Sequence, residues 1–287
     1  MILVTGAAGK TGVAVIQALR AGGTDVRAFV RREEQTATAA SAGARETVVG
    51  DMRDASVLGR AHQGVDTVYH ICPNMSPDEV RIGRTTLAAA RGAGVTHFVY
   101  HSVLRPQTET MPHHWAKLLV EAAVLESGLP YTILQPASYM QNVLGMWRAI
   151  LERGVYPVPY AVETRLGMVD LEDVAQVAAR VLTDASHKGA IYELAGREIL
   201  TPREVADIVS RGLGRPVRAE EVARDVWAAR ARARGMDDYQ IETLVKMFGY
   251  YDKYGFSGKP NVLATLLGRP PTSFQSFVSR TIREGVG

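Results

Sequence analysis

The sequence predicts an α/β protein with a doubly wound parallel sheet and a smaller, mostly helical C-terminal lobe. Three observations support this class. A short apolar run at residues 2–4 leads directly into a glycine-rich segment at 6–12. Apolar runs then alternate with helix-length segments, which is the pattern of a parallel sheet with helices on both faces. Beyond residue 140 the strands become short, and the last third of the chain is mostly helical.

The first half of the chain contains six predicted strands. They are 1–5, 26–30, 46–49, 66–71, 97–102 and 131–135. Helix-length segments separate them, except that a small-residue stretch rich in alanine (37–44) joins the second strand to the third. In a sheet of this kind, ligands bind at the carboxyl ends of the strands.

Two helices of the first half have recognisable ends. Ser76-Pro77-Asp78-Glu79 predicts a capping box with proline at the first helical position, and this helix ends near Gly92 or Gly94. Another helix is predicted at about 113–127, and it stops before Pro130.

The second half alternates differently. Short strands are predicted near 166–169 and 191–194, and helices near 171–183 and 202–213, the latter with a capping box from Thr201 to Glu204. The aromatic segment 248–256 interrupts the helical region. We therefore expect a cofactor domain at 1–140 and a substrate lobe at 141–287, which can interleave with the sheet.

Composition excludes several classes of protein. A chain of 287 residues with 46% hydrophobic and 22% charged residues is typical of a soluble globular protein, and no apolar run has membrane-span length. Neither a signal peptide nor a metal cluster is predicted. Cys72 is the single cysteine, which excludes an internal disulfide and fits a cytoplasmic location. The net charge of +3 is small, and the basic run 230–235 is interpreted as a solvated helix face, not a nucleic-acid site. A homodimer is compatible with these data.

The glycine-rich segment allows two interpretations. Gly9-Lys10-Thr11 resembles the end of an ATP-binding P-loop, but that motif needs a glycine five positions earlier, where this chain has Val4. Gly6, Gly9 and Gly12 instead have the spacing of a dinucleotide-binding turn between a strand and a helix. Such a turn places a pyrophosphate at the helix N-terminus, where free N–H groups favour negative charge. The sequence therefore favours a Rossmann-type site, with an ordinary strand–helix turn as the alternative.

The end of the second predicted strand indicates which dinucleotide binds. NAD-binding folds carry an acidic residue there, which accepts hydrogen bonds from the ribose hydroxyls. This chain has Arg31 and Arg32, whose guanidinium groups suit the 2′-phosphate of NADP(H), and Lys10 adds a further cation. Asp51, after the third strand, is expected beside the adenine. The alternative is that the two arginines form a solvated strand end.

Six segments carry a resemblance that covers nearly the whole chain. They are "VTGAAGKTG" (4–12), "VRAFVRR" (26–32), "VVGDMRD" (48–54), "VYHSV" (99–103), "HHWAKLLVEAAVLESGLPYTILQPASYMQN" (113–142) and "LLGRPPTSFQSFV" (266–278). With these motifs the chain resembles the NmrA-like family of atypical short-chain dehydrogenase/reductases. The family includes NADPH-dependent quinone and triphenylmethane-dye reductases, and also catalytically silent proteins that sense nicotinamide cofactors.

The resemblance implies candidate catalytic residues. The wider superfamily uses Tyr-x-x-x-Lys; here Lys117 occupies the lysine position, but His113 stands where the tyrosine is expected. Lys117 can still hold the nicotinamide ribose. His113 or Tyr139 is a candidate substitute for the missing phenol, and Ser102 corresponds to the substrate-orienting serine. Turn or solvent-facing positions are the alternatives for these side chains.

The resemblance also places the segment 136–139 along the nicotinamide and Cys72-Pro73 at the border of the cofactor. Gln135 departs from the family, which usually has arginine before that proline. The predicted cofactor contacts are Thr5, Gly6, Ala8, Gly9, Lys10, Thr11, Gly12, Arg31, Arg32, Asp51, Met52, Ile71, Cys72, Pro73, Lys117, Pro136, Ala137, Ser138 and Tyr139.

A cofactor site without the phenol acid favours one class of substrate. Quinones, dyes, imines and activated carbonyls spread the incoming electron pair, so hydride transfer to them needs position and water exclusion more than a strong acid. We therefore expect an NADPH-dependent reductase of such acceptors, a small-molecule enzyme. The alternative is a silent NADP(H)-binding redox sensor. Aromatic side chains within 139–160 and 248–256 are expected to line a flat pocket or to belong to the core.

Overall fold

The computed structural model describes residues 1–285. Its strands are β1 (Ile2–Val4), β2 (Val26–Val30), β3 (Glu46–Val49), β4 (Thr67–His70), β5 (His97–His101), β6 (Tyr131–Pro136), β7 (Ser138–Tyr139), β8 (Val155–Val158), β9 (Leu166–Val169), β10 (Ala190–Leu194), β11 (Ile199–Leu200) and β12 (Arg218–Glu221). Its α-helices are α1 (Lys10–Ala21), α2 (Thr36–Ala42), α3 (Ala55–His62), α4 (Glu79–Gly92), α5 (Pro112–Glu126), α6 (Trp147–Arg153), α7 (Leu171–Thr183), α8 (Pro202–Leu213), α9 (Arg224–Ala233), α10 (Asp238–Tyr254), α11 (Asn261–Leu267) and α12 (Phe274–Arg283).

The main sheet has seven strands in the order β10-β6-β5-β4-β1-β2-β3. The strands β1 to β6 pair in parallel. Every residue of β4 and β5 is buried, as expected for central parallel strands covered on both faces. The predicted α/β class and its strand–helix alternation are confirmed.

Three local predictions are wrong. The alanine-rich connection forms a helix, α2, because alanine has the highest helix propensity, and it ends at Gly43 with a left-handed φ of 106°. The capping box at 76–79 does not form: α4 begins at Glu79, and its N-cap Asp78 makes no side-chain cap bond. The carboxylate that the box requires is buried against β5 and α5 instead. The segment 248–254 continues α10 and does not interrupt it.

The described chain divides into two compact units. The first comprises Met1–Thr108, His113–Gln135 and Val174–Tyr192, and the second comprises Glu109–Pro112, Pro136–Asp173 and the chain from Glu193 onward. Each unit is therefore assembled from separated segments. The division of roles at residue 140 stays a prediction.

Each unit has its own apolar core. The core of the first includes Leu3, Phe29, Val68, Phe98 and Ile133 from five parallel strands. The core of the second includes Trp147, Tyr156, Phe274 and Phe277, together with residues from a three-stranded sheet (β11-β9-β7) and from the pair β12-β8. No helix within residues 1–285 is long and apolar enough to cross a membrane.

Polar contacts fix the helices of the second unit. The capping box predicted at α8 is confirmed: the Thr201 hydroxyl accepts from the Glu204 N–H at 3.2 Å, and the Glu204 carboxylate accepts from the Thr201 N–H at 2.7 Å. The fully buried Asp170 pairs with Arg280 at 2.7 Å. A buried carboxylate needs such a partner, so this pair secures α12 within the unit.

Candidate cofactor and reaction site

The glycine turn between β1 and α1 has no room for a side chain at two positions. Gly6 has a φ of +60°, a left-handed conformation that favours glycine. A Cβ on Gly12 would lie 2.5 Å from the Gly6 carbonyl oxygen and 2.7 Å from the Cα of Ala7. The Gly9 N–H donates to the same carbonyl at 3.0 Å and closes the turn.

The N-terminus of α1 follows this turn without a capping side chain. Its N-cap is Gly9, and both Gly9 and Lys10 are exposed, while Ala8 and Thr11 are half-buried. The first turn of a helix carries partial positive charge, and bare backbone lets an anion approach closely. The residues present therefore fit the pyrophosphate of a dinucleotide.

Thr5 joins the ends of β1 and β4. Its hydroxyl donates to the Ile71 carbonyl at 3.1 Å, accepts from the Ile71 N–H at 2.9 Å and lies 3.0 Å from Nδ1 of His70. The residue is fully buried. The Thr5 hydroxyl is therefore already used within the sheet, and the predicted contact of Thr5 with the cofactor stays a prediction.

Cys72 follows this junction and is buried in the core of the first unit. Burial raises the pKa of its thiol, and the nearby charge of Glu79 adds to the effect. The thiol is therefore protonated and unreactive at neutral pH. Pro73, the next residue, is exposed.

The carboxyl end of β2 presents the two arginines. Both are exposed, and Oε1 of Gln35 accepts from the N–H groups of Arg31 and Arg32 at 3.0 Å each. Arg32 pairs with Glu34 at 2.6 Å, whereas Arg31 has no ion-pair partner within residues 1–285. Arg31 is thus the guanidinium that an added phosphate can engage without breaking an existing pair.

Asp51 lies after β3, within the electrostatic reach of Arg31. Hydrogen bonds from Arg53 lower the pKa of Asp51 to about 2, and the charge of Arg31 contributes. Arg53 Nε lies 3.0 Å and 3.1 Å from the two carboxylate oxygens. Met52 belongs to the apolar core of the first unit, and its predicted contact with the cofactor stays a prediction.

Lys117 lies in a buried polar network within the first unit. Its ammonium donates to Oε1 of Glu79 at 2.9 Å and to the His101 carbonyl at 3.3 Å. The Tyr100 hydroxyl donates to the same Glu79 oxygen at 2.8 Å, and Lys117 Nζ lies 5.4 Å from the centre of the Tyr100 ring. Burial, together with the Glu79 charge, raises the pKa of Tyr100 well above its usual value. This phenol is therefore an internal donor and no substitute for the missing tyrosine.

The histidines around Lys117 are held neutral. Burial and then the Lys117 charge lower the pKa of His70 and of His101 to about 3. His113 has a pKa of about 3 for the same main reason, and its Nδ1 is buried without a hydrogen-bond partner in the described chain. His114 is also buried, and its Nδ1 lies 3.1 Å from the Arg105 carbonyl oxygen. At neutral pH, His113 is therefore not an imidazolium acid.

Ser102 does not have the environment of a substrate-orienting hydroxyl. It is 2% exposed and donates its hydroxyl to Oε1 of Glu121. Gln135 Nε2 donates to the two oxygens of the same carboxylate, at 2.9 Å and 3.0 Å. Tyr100, two positions earlier, donates to a carboxylate of α4, whereas Ser102 donates to a carboxylate of α5. Glu121 thus receives its nitrogen donor from the neutral amide of Gln135, at a position where the family usually has a charged guanidinium.

The segment after β6 belongs to the second unit. Ala137 is buried, and its N–H donates to the Leu194 carbonyl at 3.0 Å. Ser138 and Tyr139 are half-buried and form β7, which pairs in parallel with β9. The placement of Pro136 through Tyr139 beside a nicotinamide stays a prediction.

The sequence motifs did not predict that Glu79 and Glu121 are buried carboxylates near the candidate site. Glu121 was detectable in principle, because it lies four residues after Lys117 and next to the buried Val120 on α5. Glu79 gave no such indication. Its partner Lys117 is 38 positions away in the sequence, and only the sheet brings the two helices together.

The parallel sheet and the glycine turn at its first strand define a Rossmann-type, dinucleotide-binding class of protein. The model of the NmrA-like family matches residues 1–278. The chain therefore belongs to the NmrA-like family, as the motifs of the sequence indicated.

Relatives with assigned activities extend over nearly the whole chain. It is 30% identical over 279 residues to an NAD(P)H azoreductase of Xenophilus azovorans, covering 96% of both chains. It resembles the structure of an NADPH-dependent quinone oxidoreductase of Escherichia coli in complex with NADPH, with a TM-score of 0.85, 28% identity and coverage of 98% and 100%. The triphenylmethane reductase of Citrobacter sp. complexed with NADP(H) gives a TM-score of 0.85, 27% identity and coverage of 98% and 99%.

Proposed function

We propose that this protein is an NADPH-dependent reductase of electron-poor conjugated acceptors, such as a quinone, a dye, an imine or an activated carbonyl. The class of acceptor is inferred from the protonation and hydrogen bonding of the groups around Lys117. His70, His101 and His113 are neutral at pH 7, and the buried Tyr100 hydroxyl is donated to Glu79. An isolated carbonyl needs a stronger proton donor than these groups provide.

The residues of the first unit supply the cofactor site in this proposal. When bound, NADPH supplies a hydride. The glycine turn and the N-terminus of α1 hold its pyrophosphate, and Arg31 and Lys10 face its 2′-phosphate. The Lys117 ammonium binds a ribose hydroxyl by a charged hydrogen bond.

The chemistry of a conjugated acceptor suits such a site. A quinone, an azo group or a triphenylmethyl cation spreads the incoming electron pair over many atoms, so water can supply any proton afterwards. Position and water exclusion then matter more than general acid catalysis. The azo, quinone and triphenylmethane groups named for the relatives all belong to this class of acceptor.

A panel of quinones, azo dyes, cationic dyes, imines and aldehydes, assayed by loss of NADPH absorbance, tests the proposal. We expect turnover with several conjugated acceptors and little with simple aldehydes. Tight NADPH binding without turnover on any acceptor would instead favour an NADP(H)-binding redox sensor.

Arg31→Ala tests the choice of cofactor, with Arg32→Ala as the matched control. Arg31 lacks an ion-pair partner within residues 1–285, whereas Arg32 is paired with Glu34. Loss of a charged hydrogen bond to phosphate should weaken NADPH binding about tenfold in Arg31→Ala, with NADH binding nearly unchanged. Calorimetric titration measures both constants. An unchanged ratio of NADPH to NADH affinity in Arg31→Ala would rule out this role for Arg31.

A further inference from the structure

One oxygen of the buried Glu79 carboxylate accepts hydrogen bonds from both an ammonium and a hydroxyl. It is 3% exposed, and its Oε1 accepts from Lys117 at 2.9 Å and from Tyr100 at 2.8 Å. A carboxylate removed from water is costly unless its partners compensate. The three side chains come from the start of α4, from β5 and from α5, so the network depends on the assembled sheet.

Lys117 depends on Glu79 for a defined position. A lysine side chain has a flexible four-carbon stem, and its ammonium is a point charge with three donors. Glu79 and the weaker 3.3 Å contact with the His101 carbonyl use two of those donors. The Lys117 side chain is 16% exposed, so it keeps some contact with solvent while its ammonium is bound to the buried carboxylate.

We propose that Glu79 is a positioning residue: its carboxylate fixes the Lys117 ammonium so that the third N–H is presented to the ribose of bound NADPH. This inference rests on the proposed function. It assigns a role to a residue that itself touches neither cofactor nor substrate and acts only through Lys117. If Glu79 were needed only for folding, the effect of replacing it on NADPH binding would not depend on the presence of Lys117.

A double-mutant cycle separates the two roles. The variants are Glu79→Gln, Lys117→Met and the combination, and the measurement is the NADPH dissociation constant by calorimetry. Lys117→Met should weaken binding at least tenfold, because a charged hydrogen bond is lost. Glu79→Gln should produce most of that loss alone, but less than a twofold further change when Lys117 is already Met.

Glu121→Gln is the matched control. It makes the same chemical change at another buried carboxylate, whose hydrogen-bond partners are Ser102 and Gln135 and not Lys117. Its NADPH dissociation constant should stay within about twofold of the wild-type value. If Glu79→Gln does not fold, the same cycle is run with Glu79→Asp, which keeps the charge but shortens its reach.

A measurement without cofactor distinguishes failure of this inference from failure of the proposed function. In protein labelled at the lysine nitrogens, an ammonium held in an ion pair gives slowly exchanging protons in the NMR spectrum. This resonance, assigned by its absence in Lys117→Met, should be retained in Glu121→Gln and lost in Glu79→Gln. A retained resonance in Glu79→Gln, or equal losses of affinity from Glu79→Gln with and without Lys117, would overturn the positioning role. Absence of turnover in the wild type would overturn only the reductase.

Discussion

The two buried carboxylates of the first unit have similar surroundings with one decisive difference. Each carboxylate accepts a hydrogen bond from a hydroxyl. Glu79 accepts one from Tyr100 near the end of β5, and Glu121 accepts one from Ser102, the residue after β5. Each also accepts from a nitrogen donor. For Glu79 that donor is the cation Lys117, and for Glu121 it is the neutral amide of Gln135.

The difference in charge separates a candidate reaction site from an internal contact. Burial raises the pKa of Glu121, and hydrogen bonds from Ser102 and Gln135, followed by the more distant charge of Lys117, oppose this only in part. Around Lys117, by contrast, the positive charge helps to keep three neighbouring imidazoles neutral. Similar hydrogen-bond geometry thus supports an ion pair at Glu79, whereas Glu121 has no ion-pair partner within the described residues.

The largest expected effect is on stability, when the nitrogen donor of each carboxylate is removed. Lys117→Met leaves Glu79 buried without its cation and should lower the free energy of unfolding by about 3 kcal/mol. Gln135→Met leaves Glu121 able to bind a proton and should cost about 1 kcal/mol. Urea unfolding of both variants measures the difference. Equal losses would mean that the charge of the donor is unimportant.

A smaller contrast is expected when the carboxylates themselves are neutralised. Glu79→Gln removes a charged hydrogen bond to Lys117 and should cost about 2 kcal/mol. Glu121→Gln removes a buried charge that has no ion-pair partner within residues 1–285, so its unfolding free energy at pH 7 should be unchanged or slightly higher. The same urea titrations test this, and a larger loss in Glu121→Gln than in Glu79→Gln would contradict it.

The fold was more predictable than these pairs. Fully buried parallel strands are continuous apolar runs, so β1, observed at Ile2–Val4, was predicted at 1–5 from local pattern. The glycine turn was predictable because its geometry is local. The partners of Glu79 and Glu121 were not, since 38 and 14 positions separate the carboxylates from Lys117 and Gln135. Such contacts depend on how the helices lie on the sheet, which local periodicity does not specify.

The pH dependence of stability should reveal the raised pKa of the buried Glu121 carboxylate directly. The pKa of Glu121 is raised above its ordinary value of 4.5, mainly by burial, so the folded state holds this proton more tightly than the unfolded state. The stability that the folded protein gains from binding this proton is complete below pH 4.5, and it is lost as the pH rises through the pKa of Glu121 in the folded state. The unfolding free energy of the wild type should therefore fall relative to that of Glu121→Gln as the pH rises through this range. The fall should be smaller than the loss of unfolding free energy expected for Glu79→Gln. Parallel curves for the two proteins would contradict the raised pKa.

The smallest expected effect concerns His113, the candidate acid four positions before Lys117. Burial holds its pKa near 3, so at neutral pH it has no excess proton to donate. With a quinone or a cationic dye, His113→Ala should keep turnover within a few-fold of wild type, because hydride transfer to such acceptors needs no strong acid. Steady-state rates from pH 5 to pH 9, an interval chosen to include the ordinary histidine range, test this. A loss of about a hundredfold, together with a missing limb near neutrality, would identify His113 as the general acid. The acceptor would then be a simple carbonyl or imine, and the neutral imidazole would have to gain its proton only when cofactor and substrate are bound.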